Sequence, residues 1–119
     1  MQIRPRRNRA TQTIRAMVRE THTPLSSLIY PLFVVPGAGK QEAIASMPGI
    51  FRLSTDRMLA EIEDSLSLGL KSFILFPAVP DDWKDATATY GYREGNFYAE
   101  AIRAAKTRFP EICIITDVA

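Results

Sequence analysis

Lys71-Ser72-Phe73-Ile74-Leu75-Phe76-Pro77 decides the fold. The run is apolar after its first two residues and is closed by Pro77 and Pro80, so it reads as a short buried strand. Working backwards, Leu59, Ile62, Leu66 and Leu70 form an apolar stripe at helical spacing that Gly69 closes. Ser54 or Thr55 stands at its cap position, and Asp56 in its first turn suits the helix dipole. Working forwards, Asn96 can cap a helix over 97–108 whose apolar side includes Ala101, Ile102 and Ala105, and Pro110 ends it. Beyond it, Ile112-Cys113-Ile114-Ile115-Thr116 is another apolar run, and it leads straight into Asp117.

Further upstream, Leu28-Ile29-Tyr30-Pro31-Leu32-Phe33-Val34-Val35 is a strand-like run that alternates poorly, as expected of a strand covered on both faces. Pro31 has no N–H to donate to a ladder and belongs at an edge, a bulge or the start of the true strand. The order is therefore strand, helix, strand, helix, strand. Each connection is long enough to hold a helix, so the strands should pair in parallel and the class is α/β. Three strands cannot close a barrel, and 119 residues fall short of the roughly 250 that a complete one needs. The chain reads as the opening part of a larger α/β domain, and its truncated core and open strand edges argue against independent folding.

Two connecting segments are unusual. Residues 36–49 carry Gly37, Gly39, Gly49, Pro36 and Pro48 and read as a loop longer than strand-to-helix connections usually are, which hints at function. Asp81 to Gly95 is polar and turn-rich, with Trp83, Tyr90 and Tyr92 interspersed; these aromatics suit a ligand wall or, more simply, anchors for the loop. At the amino terminus, Ile14, Met17 and Val18 suggest a short amphipathic helix between Thr11 and Arg19. Pro5 disfavours helix at Arg4, so the first nine or so residues should be extended.

Composition removes several classes of function. One cysteine and one histidine exclude an internal disulfide framework and a Cys/His-rich zinc finger. No run of about 18 apolar residues exists, so no membrane span is expected. Met1-Gln2-Ile3-Arg4 opens no apolar stretch, so no secretory signal is expected and a cytoplasmic setting is. Charge is unevenly spread: residues 1–19 hold Arg4, Arg6, Arg7, Arg9, Arg15 and Arg19 with no acid, whereas the remainder carries nine bases against 13 acids. A basic arm on an acidic body suits bidentate contact with carboxylates of a partner subunit; nucleic-acid binding and a merely solvated terminus stay open beside it.

Asp117 is the sharpest candidate for chemistry, because parallel α/β strands deliver side chains from their carboxyl ends to a common mouth. Structural pairing or capping of a following segment is its plainer role. Cys113, inside an apolar run, reads as a small buried hydrophobe. Lys71, at the start of its strand, points toward the stability face; Lys106 lies on an outer helix, Lys40 and Lys84 in loops, and none reads as a buried amine ready to form a Schiff base. His22 has no second base near it. Gly37-Ala38-Gly39-Lys40 is a weak echo of a phosphate loop. Asp81, Asp82 and Asp85 suit a surface cluster better than a cation site.

Five separated motifs carry a resemblance: Arg4-Pro5-Arg6-Arg7-Asn8-Arg9; Leu28 to Val34; Ser46-Met47-Pro48-Gly49; Leu75-Phe76-Pro77; and Ile115-Thr116-Asp117-Val118. In this order the chain resembles the start of the porphobilinogen synthase (delta-aminolevulinic acid dehydratase) family over nearly all its length. The resemblance implies the N-terminal portion of a TIM (β/α)8 barrel with an extended arm. The arm would occupy residues 1–24, with a short helix, and the first three barrel strands and two intervening helices residues 25–119.

It implies a lyase that condenses two 5-aminolevulinate molecules into porphobilinogen, with loss of water, in tetrapyrrole (heme) biosynthesis. Two lysines on later strands, outside this chain, would carry that chemistry, so the fragment alone should be inactive. Asp117 would be the catalytic-site aspartate that supports bound substrate by charge and hydrogen bonding. Zinc-dependent members place a cysteine after the Asp-Val pair where this chain has Ala119, so a three-cysteine zinc site is not expected. The resemblance points instead to the metal-independent or magnesium-stimulated branch, in which magnesium (Mg) would sit outside the catalytic centre of the full-length protein, with no ligand among these residues. Arg4, Arg6, Arg7 and Arg9 would be interface residues of a homo-oligomer, an octamer built from dimers, with neither nucleic acid nor membrane as partner. The 81–95 loop departs from the family's commoner acidic, Asn-containing pattern. The competing reading is a non-catalytic α/β module whose basic arm mediates assembly or binds nucleic acid.

Overall fold

Three strands run in parallel, separated by two long helices, as the order of apolar runs predicts. The computed structural model describes residues 6–117. Its strands are β1 (Tyr30–Val34), β2 (Gln41–Ala43), β3 (Phe51–Leu53), β4 (Ser72–Pro77) and β5 (Cys113–Thr116). Its helices are α1 (Gln12–Met17), α2 (Thr55–Ser67), α3 (Thr89–Tyr92) and α4 (Phe97–Arg108). They form one sheet in the order β2-β3-β1-β4-β5. β1 pairs with β4 from Tyr30↔Phe73 to Val34↔Pro77, and β4 pairs with β5 from Ser72↔Cys113 to Leu75↔Thr116, both in parallel.

Pro31 sits in the central strand without costing a ladder bond. The Val35 N–H donates to the Leu53 carbonyl, so by the two-residue alternation the nitrogen of Pro31 faces the β3 side. β3 reaches only Phe33 and Val34, so no acceptor stands opposite the proline.

The segment 36–49 corrects the loop expectation. It contains β2, which pairs antiparallel with β3 from Gln41↔Leu53 to Ala43↔Phe51, and the chain turns between them through Ile44 to Ile50. Ile44 is buried and exchanges turn hydrogen bonds with Met47 and Ile50, and Gly49 takes a φ of 83°, which a side chain would oppose. β3 adds a parallel partner to the end of β1, so the sheet has five strands where three were expected.

The core lies on one face of the sheet. Leu32, Val34, Phe73 and Leu75 pack against Met58 and Ile62 of α2 and Ala101 and Ala105 of α4, with Phe109 and Ile112 at the margin. The alternation that sends these residues to the helices sends Phe33, Ile74, Phe76 and Ile115 to the opposite face, where they are half-buried. The expectation of strands covered on both faces therefore holds on one face among the described residues. Cys113, expected to be buried, is exposed for the same reason: it stands on the helix-free face at the first position of the outermost strand. Ser54 is the cap residue of α2, and Gly69, at φ 93°, lets the Leu70 N–H fold back onto the Ser65 carbonyl to end that helix.

The arm also differs from expectation. Arg7–Arg9 form one 3-10 turn, with the Arg9 N–H on the Arg6 carbonyl (2.9 Å), instead of extended chain. Pro5 restrains the residue before it and not those after Arg6, and the Arg15 guanidinium holds the turn by donating to the Arg9 carbonyl (2.9 Å). α1 is capped by Thr11 and stops at Met17, two residues short of Arg19. From Arg6 to Ile29 every residue but Ile14 is exposed. The Cα radius of gyration is 20.6 Å, against roughly 13 to 14 Å for a compact chain of this size. The excess follows from an arm that stands away from the body. Arg4 lies outside the described residues, as do Val118 and Ala119.

Candidate functional site at the strand ends

β1, β4 and β5 end on the same edge of the sheet because all three are parallel. On the helix-free face the register aligns side chains in rows. Pro31 pairs with Ile74 and Ile74 with Ile115; one row on, Phe33 pairs with Phe76, and the two-residue step from Ile115 brings Asp117 opposite Phe76. Phe33 and Phe76 stack at 5.5 Å between centroids with planes 25° apart. The product is an apolar floor of two half-buried rings, and Asp117, exposed, is the residue that follows the neighbouring strand β5. An aromatic face beside a carboxylate attracts a cation carried on a short apolar chain. This chemistry suits a protonated amine.

α4 secures that margin from the other side of the sheet. Asn96 accepts a hydrogen bond from the Ala99 N–H at 2.8 Å, as its capping position predicts, and Tyr98 follows in the first turn. Its hydroxyl donates to the Leu75 carbonyl at 2.7 Å. Burial pushes the Tyr98 hydroxyl pKa up; a hydrogen bond with the Asp117 backbone works against that and the charge of Asp117 adds to it. Tyr98 went unread in the sequence, although Tyr98, Ala101, Ile102 and Ala105 share one helical face and the tyrosine is its polar member.

The remaining candidates have local duties. Gly39 of the glycine-lysine loop donates its N–H to both oxygens of Asp56 (3.1 Å each), and Ser54 donates to the same carboxylate at 2.6 Å. These bonds, the serine's first and the Gly39 amide's second, hold the Asp56 carboxyl below its ordinary range. The loop's amide thus faces an internal anion. Lys106 closes the end of α4 by donating to the Pro110 and Ile112 carbonyls (2.7 and 2.8 Å). His22, exposed, donates from Nε2 to the Arg19 carbonyl at 2.8 Å.

Asp81 pairs with Lys84 at 2.6 Å, and Asp85 accepts from the backbone of Thr87 and Thr89 (3.1 and 2.9 Å). Among the described residues no group of three or more His, Cys, Asp or Glu is placed to hold a metal ion. Trp83 and Tyr90 lie 4.8 Å apart, Tyr90 and Phe97 6.0 Å apart, and the Phe97 N–H donates to the Tyr90 hydroxyl at 3.2 Å. The aromatics of the 81–95 loop thus pin it to the start of α4, the anchoring role; Tyr92 is exposed. No helix of the described residues is long and apolar enough to cross a membrane.

Comparison with known proteins gives a consistent match. Residues 2–119 match the family model described as delta-aminolevulinic acid dehydratase. The chain is 45% identical over 116 residues to the delta-aminolevulinic acid dehydratase of Chlamydia pneumoniae, covering 98% of this chain and 35% of that protein. It is 42% identical over 117 residues to that of Bradyrhizobium diazoefficiens, covering 98% and 33%. Its backbone matches the crystal structure of delta-aminolevulinic acid dehydratase (porphobilinogen synthase) from Toxoplasma gondii in complex with the reaction product porphobilinogen. There the TM-score is 0.90 at 42% identity, covering 100% of this chain and 34% of that one. The chain spans about a third of the length of the relatives it matches.

Proposed function

Because the chain belongs to the delta-aminolevulinic acid dehydratase family, we propose that the full-length protein condenses two molecules of 5-aminolevulinate into porphobilinogen, with loss of water, in tetrapyrrole biosynthesis. β1, β4 and β5 are the opening parallel strands of the family's (β/α)8 barrel. The observation that carries the reading is the backbone match, over the whole chain, to a relative described in complex with porphobilinogen. The lysines of the chemistry lie on later strands, so these residues by themselves are inactive.

Within that reading Asp117 is the catalytic-site residue of this segment. Its carboxylate holds the substrate amine over the Phe33–Phe76 floor and stabilises positive charge as the reaction proceeds. Replacing it by alanine in the full-length protein tests the assignment. Turnover of 5-aminolevulinate should fall by roughly 10²- to 10⁴-fold, with an unchanged circular dichroism spectrum. Near-normal turnover would reject the role.

A three-cysteine zinc site is not expected at this position, because Ala119, after the Asp-Val pair, offers no ligand atom. The full-length protein then belongs to the family's metal-independent or magnesium-stimulated branch, any magnesium lying outside the catalytic centre, and none of these residues is assigned as its ligand. The division into an arm, 1–24, and a barrel segment, 25–119, belongs to the same proposal and is supported by the exposure of all residues but Ile14 from Arg6 to Ile29. Arg4, Arg6, Arg7 and Arg9 then lie in the interface of a cytoplasmic homo-octamer assembled from dimers.

A further inference from the structure

We propose that Tyr98 is the positioning residue for Asp117, tying the end of β5 to β4 from the helical side of the sheet. The inference rests on the role just given to Asp117. β5 pairs with β4, and the last pair of that ladder is Leu75↔Thr116. Asp117 therefore follows directly on the last rung that β5 shares with β4.

The Cys113 N–H donates to the Lys71 carbonyl at 2.8 Å. In a parallel ladder that direction repeats every two residues, so the Leu75 carbonyl faces the β5 side at the level of the Asp117 N–H. The Tyr98 hydroxyl reaches this same carbonyl at 2.7 Å. The hydroxyl thus stands between the Leu75 carbonyl of β4 and the backbone of the residue that carries the carboxylate. Burial raises the hydroxyl's pKa, so the tyrosine remains a neutral donor at physiological pH. The aromatic stem cannot swing away, because Tyr98 packs against the core beside Ala101 and Ala105. Tyr98 approaches from the helical face and Asp117 serves the opposite one, so the tyrosine acts through the backbone and does not touch substrate.

The test uses the full-length protein and Tyr98→Phe, which removes the hydroxyl and keeps the ring. Loss of one neutral hydrogen bond should lower kcat about tenfold and leave KM within about twofold. In an Asp117→Asn background the same change should cost nothing further, since the residue it positions is already disabled. Hydrogen exchange in the peptide spanning 113–117 should be faster in Y98F, with exchange of α2 unchanged as the control for overall folding. Losses that multiply in the double variant, a wild-type kcat in Y98F, or unchanged exchange at 113–117 would each overturn the proposal. Failure of the wild-type protein to form porphobilinogen would instead overturn the reaction assigned above, and the exchange measurement would still decide whether Tyr98 holds the strand end.

Discussion

A carboxylate at the end of an apolar strand must find water, a partner or a substrate, and Asp117, directly after β5, is exposed. Its place was legible because parallel strands bring their carboxyl ends to one edge, whatever the surrounding fold. The support beneath it was less legible. Asn96 announced itself by type and position; the bond it accepts from the Ala99 N–H confirms the cap, and its amide donates to the Gly91 and Arg93 carbonyls of the preceding loop. Replacing Asn96 by alanine should destabilise the full-length protein by about 1 to 2 kcal/mol, read from the denaturant midpoint. Tyr98 carried no comparable signal, since a tyrosine on an apolar helical face reads as packing until the position of the Leu75 carbonyl is known.

At the scale of elements, α2 and α4 follow their apolar stripes closely. Ile62 is fully buried against the sheet, and truncating it to alanine should cost roughly 2 to 5 kcal/mol. Chemical denaturation would show this as a lower midpoint with an unchanged slope. Met58, also fully buried, stands one turn before Ile62 and belongs on the same stripe. The β2–β3 hairpin was not legible. Its strands are three residues each, β2 is exposed throughout, and the glycines and prolines around it read as loop. What makes it a hairpin is pairing: β3 docks on β1 through Phe33↔Arg52 and Val34↔Leu53, and β2 docks on β3. Such contacts leave little periodic trace in a segment this short.

For the whole molecule, the uneven charge and the projecting arm belong together. Arginines on an exposed segment with no fold of its own are suited to carboxylates on a neighbouring subunit. Deleting residues 1–9 from the full-length protein should reduce the assembled mass, measured by light scattering, without unfolding the subunit; an unchanged mass would defeat the interface assignment. Arg7 and Arg9 belong to a 3-10 turn held by Arg15, so Arg15→Ala should weaken assembly in the same direction.

By itself the sequence determined the alternation of strands and helices, their parallel sense, the helix caps and the arrival of Asp117 at a strand end. These depend on local periodicity and on connection lengths, which are written residue by residue along the chain. The tertiary structure alone decided that the glycine-rich segment becomes a hairpin, that Cys113 stands on the helix-free face, and that Tyr98 meets the Leu75 carbonyl of β4. Each of these depends on which strand lies beside which and in what register, and that choice is settled by packing between segments far apart in the chain.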